Sequence, residues 1–171
     1  MMWKYRGQTR PDFADIPGPG QESVWDYPRP PKLSPDTRLV EVKTADLCIA
    51  SSSKCFRILE TASPPAFYVL PSDVNWQHLI AASGSSFCEW KGAASYWALK
   101  SNPEKGAVGW SYPQPTPAFT KIKDYVSFYP VMLECFVAGE RVRHQPGRFY
   151  GGWVTDEIAG PFKGEPGTQH W

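Results

Sequence analysis

Proline occupies 18 of the 171 positions, roughly twice its usual share of about 5%. It lacks the backbone donor and clashes with the preceding turn of a helix, so little room is left for long helices. Short strands joined by proline and glycine turns are the alternative, and the residues between the prolines agree. In "RLVEVKT", Leu39, Glu41 and Lys43 oppose Arg38, Val40 and Val42, which reads as an edge strand. "LCIA" and "CFRILET" follow across the turn "SSSK", and "SPPAFYVLP" holds a strand from Ala66 to Leu70 fenced by prolines. "SFCEWKG", "ASYWALK", "AVGWSYP" and "DYVSFYP" read as four more strands, and "LECFVAGERV" as a hairpin with Ala138-Gly139 at its tip. One segment changes period. Ser72 or Asp73 as N-cap, then Val74, Trp76, Leu79 and Ile80, predicts one short helix of two to three turns.

The length suits one domain. Residues 1–37 read as an arm packing on it, 38–144 as the β core, and 145–171 as a glycine-, proline- and aromatic-rich clasp. Flexible tails are normally polar, so Phe149, Tyr150, Trp153, Ile158 and Phe162 predict that this tail docks. The expected fold is mainly β: a twisted barrel or two packed sheets, one short helix and extended terminal arms.

A net charge of +1 supplies no field for nucleic acid or an anionic membrane. The one basic run, "ERVRHQPGR" with Arg141, Arg143, His144 and Arg148, reads as a solvated hairpin edge. The four cysteines, Cys48, Cys55, Cys88 and Cys135, form no C-x-x-C pair, so no metal site is expected. No apolar run has the length of a signal peptide or a membrane span, and the thiols then read as reduced in a cytoplasmic protein.

The motifs "ESVWDYPRPP", "RILET", "FCEWKG", "YW", "WSYPQP", "YVSFYP" and "FYGGW…GPFKGEPGT", in this order, resemble the family of domain of unknown function 427. The resemblance implies a compact β fold of the tent-like or Mss4-like kind, whose common core is the stretch from about Arg38 to Val142 here. Relatives of that fold often hold a structural zinc on paired C-x-x-C knuckles, which this sequence lacks. The family also carries a nucleotidyltransferase-like label, but no glycine-rich phosphate loop or paired acidic metal motif accompanies it here.

The densest run is "SFCEWKGAASYW". With strand alternation, Phe87, Glu89 and Lys91 share one face and Cys88 and Trp90 the other. On a concave face Lys91 would anchor an anionic or carbonyl group with Glu89 beside it; on a convex one the pair is a surface ion pair worth about 0–1 kcal/mol. Gly92 marks a bulge or a close approach by another group. Cys88 reads as a small buried thiol beside Trp90. Arg57 is suited to a carboxylate or phosphate fork, or to pairing with Glu60 or Glu89. Trp110 and Tyr112 on the stiff "WSYP" segment suit a planar ligand or the core, and Lys163 reads as a solvated lysine on a glycine-rich loop.

These residues carry three functional expectations. The first is a module binding a small planar, anionic or carbonyl-bearing molecule through Arg57, Glu60, Glu89, Trp90, Lys91, Trp110 and Tyr112, with no cofactor. The second is an enzyme with Glu89 or Glu60 as general acid/base and Lys91 stabilising negative charge, possible uses including nucleotide chemistry. The third is a protein-interaction domain presenting proline–aromatic surfaces such as "WDYPRPP", a reading that needs those aromatics exposed.

Overall fold

The computed structural model describes residues 2–147 and 149–171, so Arg148 of the basic run lies outside the described residues. In chain order the strands are β1 (Glu22–Ser23), β2 (Lys32–Asp36), β3 (Val40–Thr44), β4 (Leu47–Ser52), β5 (Cys55–Leu59), β6 (Ala66–Val69), β7 (Leu79–Cys88), β8 (Gly92–Leu99), β9 (Ala107–Ser111), β10 (Val126–Phe128), β11 (Glu134–Val137), β12 (Glu140–Arg141), β13 (Arg143–His144), β14 (Trp153–Val154) and β15 (Ile158–Ala159). A seven-stranded sheet runs β2-β5-β6-β10-β9-β8-β7, and a four-stranded sheet runs β12-β11-β3-β4. Neither closes into a barrel.

Alternation explains what lies between the sheets. Val40 and Val42 point inward from β3, Cys55, Phe67 and Val69 from β5 and β6, and Val126 and Phe128 from β10. Because β3 sits between β11 and β4, it is an interior strand, not the edge strand its pattern suggests. The other face of the seven-stranded sheet carries Ile58, Tyr68, Ala94, Trp110 and Tyr112. The same sheet therefore buries two aromatic clusters, one per face. That is why its central strands β6, β9 and β10 lack a polar side, while the edge strands β2 and β7 keep exposed positions.

The hairpin between β11 and β12 turns at Ala138-Gly139, both at positive φ, as the sequence signal indicates. The expected short helix is realised as two single 3-10 turns, Pro71–Asp73 and Trp76–His78. Leu79 then leaves as strand, pairing with Leu99, so sheet pairing takes over the residues whose spacing suggested further helical turns.

The terminal segments meet. β1 pairs parallel with β15, Asp15 donates its N–H to the Gly160 carbonyl, and the Trp25 indole donates to Pro161. Tyr5, Phe13, Trp25 and Trp171 contact one another edge-on or stacked, with centroids 5.0–6.1 Å apart. Trp153 and Ile158 of the tail are buried, whereas Phe149 is 82% exposed. Trp25 and Tyr27 are buried as well, so "WDYPRPP" presents no aromatic surface to a partner protein. No helix is long and apolar enough to cross a membrane among the described residues.

Candidate functional site

Glu89, Trp90 and Lys91 are not strand residues. Cys88 pairs with Gly92, and the three residues between them form the tip of the β7–β8 hairpin. The two-face alternation expected for them therefore ends at Cys88. Gly92 has φ +106°, and a Cβ there would lie 3.2 Å from the Gln114 carbonyl, so glycine serves both the turn and a close approach. The segment after "WSYP" straps the tip down: Thr116 donates its N–H to the Lys91 carbonyl (3.1 Å) and its hydroxyl to the Trp90 carbonyl (2.6 Å). Cys88 and Trp90 pack into the Tyr68–Trp110–Tyr112 cluster, and the Lys91 ammonium lies 5.6 Å from the Tyr112 ring centre, on the same side. Glu89 remains exposed.

The floor of this region is a set of donors. The Trp110 indole donates to the Tyr68 hydroxyl (3.1 Å). Burial pushes the Tyr68 and Tyr112 hydroxyls well above the usual phenol range, and it pushes Tyr129 up to about 12. All three stay protonated at neutral pH and can donate.

The C-terminal clasp supplies the other wall. Gly151 lies flat against Trp110, leaving no room for a side chain. Tyr150 is half-buried, and Lys163 is only 6% exposed. The solvated role expected for Lys163 is thus overturned: its main chain is fixed by the Lys163 N–H to the Ala62 carbonyl (2.8 Å) and by Gln145 Nε2 donating to its carbonyl (2.6 Å). The ammonium sits 4.7 Å from the Trp3 ring centre and 5.4 Å from that of Tyr150. Burial, then the neighbouring Arg29 charge, lowers its pKa, against the opposing charges of Glu60 and Glu89.

Among the expected site residues, Trp90, Trp110 and Tyr112 share one aromatic cluster with Lys91 over Tyr112, and the charges of Glu60 and Glu89 act on Lys163. Glu60 is not free: Arg29, whose side chain is fully buried, donates Nε to it (3.2 Å) and further bonds to the carbonyls of Tyr5, Thr61 and Trp171. Arg57 is not brought to the cleft. Its register partner Phe67 belongs to the inter-sheet core, and its guanidinium pairs with Glu22, Asp36 and Glu157, which Arg38 also binds. Neither of the expected internal partners, Glu60 or Glu89, is at ion-pair distance from it among the described residues.

The sequence assigns no site role to Arg29, Tyr68, Tyr129, Tyr150 or Trp3, because each comes to this region through non-local packing. The density of aromatics in both terminal segments was the one available signal. Two recesses lie elsewhere: about 430 Å³ within the N-terminal arm, from Lys4 to Phe13, and about 270 Å³ against Ala81, Ser85, Ser95 and Ser111. The first gathers both signs of charge, Lys4, Arg6 and Arg10 with Asp12, and the second holds Tyr96 and Asp124, but neither contains a buried lysine. Among the described residues no three His, Cys, Asp or Glu side chains form a metal-binding group.

None of the curated proteins matches the chain. A family model described as a domain of unknown function (DUF427) matches residues 32–139, more than half the chain and the stretch that carries Glu60, Glu89, Lys91, Trp110 and Tyr112. The chain belongs to the DUF427 family.

Proposed function

We propose that this protein binds a small planar molecule carrying a carboxylate or carbonyl, at the mouth between the β7–β8 tip and the C-terminal clasp. The observation that carries the reading is a pair of lysines: Lys91 and Lys163 both rest over aromatic rings, with no carboxylate at ion-pair distance among the described residues. A buried ammonium without a partner is costly, and an acceptor brought by a ligand offsets that cost. Half-buried Tyr129 adds a phenolic donor, while Trp110 and Tyr150 supply flat apolar surface.

The test is thermal unfolding with terephthalate as the planar carboxylate and a planar amine as control. At about 100 times its dissociation constant a ligand adds about 2.7 kcal/mol, which raises the melting temperature of a chain this size by about 5–10 °C. Terephthalate should stabilise, and Lys91→Met and Lys163→Met should reduce the gain. Equal stabilisation by the amine, or none by terephthalate, overturns the reading.

A further inference from the structure

We propose that Lys163 takes the carbonyl of its ligand covalently, as a reversible imine. This rests on the ligand-binding reading and names the chemistry of the same site.

Lys163 is held for such a reaction by its surroundings. Ala62 and Gln145 fix its main chain on both sides, and the side chain is buried, so Nζ does not swing into bulk water. No acceptor among the described residues occupies the ammonium. Arg29 stacks on the same Trp3 ring, its guanidinium carbon 4.0 Å from the ring centre, so two cations share one indole. Crowding by a fixed guanidinium that cannot lose its proton, together with burial, favours the neutral amine. The neutral amine is the nucleophilic form. The Trp3 indole N–H is itself buried with no acceptor, a second donor unmet at this spot.

The balance is simple. The Nζ lone pair attacks the carbonyl carbon, the C=O π pair moves to oxygen, and proton transfer gives a carbinolamine. A proton from solvent then reaches the hydroxyl, water leaves, and the nitrogen lone pair forms C=N. Amine plus carbonyl gives imine plus water, with no oxidant or reductant. Solvent water carries the protons, and the negative charges of Glu60 and Glu89, which both act on Lys163, favour the protonated imine over the neutral one.

The experiment treats the intact chain with para-carboxybenzaldehyde and sodium cyanoborohydride at neutral pH, followed by peptide mapping. Lys163 should be alkylated about tenfold faster or more than exposed lysines such as Lys54, Lys100 and Lys121. Terephthalate should slow it, and Lys163→Arg, checked for folding by circular dichroism, should abolish the fast site. Labelling spread evenly over exposed lysines overturns the proposal, as does a fast site that survives in Lys163→Arg. Should that variant fail to fold, the wild-type map decides alone. Stabilisation by terephthalate without selective trapping ends the imine and spares the binding reading; absence of both ends both.

Discussion

Replacing Arg57 by glutamine removes the cation that joins the N-terminal arm, the edge strand and the C-terminal tail. Its partners are Glu22 beside Nη1, Asp36 at 3.6 Å from Nε and Glu157 at 3.9 Å from Nη1. The Arg57–Asp36 pair is the well-shielded one, with side-chain exposures of 12% and 9%. At an effective dielectric constant near 20 its gross attraction is roughly 4–5 kcal/mol. Return of the guanidinium's desolvation cost and the remaining Arg38–Asp36 bond cut this to about 2 kcal/mol net. Glu22 is 42% exposed and adds about 0–1 kcal/mol. Arg57→Gln is therefore expected to lose about 2–3 kcal/mol at pH 7 in urea unfolding, or about 5–10 °C in melting temperature. The sign with pH follows from Asp36. Burial alone would raise its pKa, but hydrogen bonds from Arg38, with the Arg38 and Arg57 charges, hold it below the ordinary carboxylate value. Stability from a depressed carboxylate is present above its unfolded pKa, about 3.9, and is lost as pH falls through the lower folded value. The gap between wild type and variant should thus be full at neutral pH and shrink below about pH 4. A variant within about 0.5 kcal/mol of wild type at pH 7 refutes the reasoning. So does one that keeps its stability and loses terephthalate binding, since Arg57 would then be a ligand contact.

Two further outcomes are expected. Gly151→Ala puts a Cβ within 2.7 Å of Trp110 Cζ3 and should cost about 1–3 kcal/mol with faster proteolysis of the tail; unchanged stability would show that the clasp does not press on the indole. With Ellman's reagent at pH 8, exposed Cys48 should react promptly, while Cys55, which burial pushes up to about 12, and Cys135, pushed higher still, should react only on unfolding; simultaneous reaction of all three would contradict their burial.

The architecture was legible where period and punctuation act locally. Prolines bracket the strand at Ala66, Ala138-Gly139 turns the β11–β12 hairpin, and the aromatic tail announces its own docking. The helix reading holds only as two 3-10 turns, because the apolar spacing from Val74 to Ile80 fits a longer helix while the partner strand that claims Leu79 is not visible from a local window. Alternation carried past Cys88 misplaced Glu89 and Lys91, although Gly92 held the cue that the chain was turning. Residue type alone singles out Glu60, Trp110 and Tyr112, of which Trp110 and Tyr112 pack in one cluster. Arg57 was assigned to them because face parity across a seven-stranded sheet depends on register, which one strand does not reveal. Lys163 looked solvated because its burial is imposed by Trp3 and Gln145, neither of them a sequence neighbour.

The parallel pairing of β1 with β15 joins residues separated by most of the chain. Contacts of such sequence separation form late, after the sheets that need only nearer partners. Trp3 and Lys163, one from each closing segment, meet only when that seam is made. A ligand held between them, as proposed, would bind only where the seam is closed and so would add its free energy to the seam itself. Occupancy and closure would then be one equilibrium: hydrogen exchange at the Glu22 N–H, which bonds across the seam to the Glu157 carbonyl, should slow when such a ligand binds.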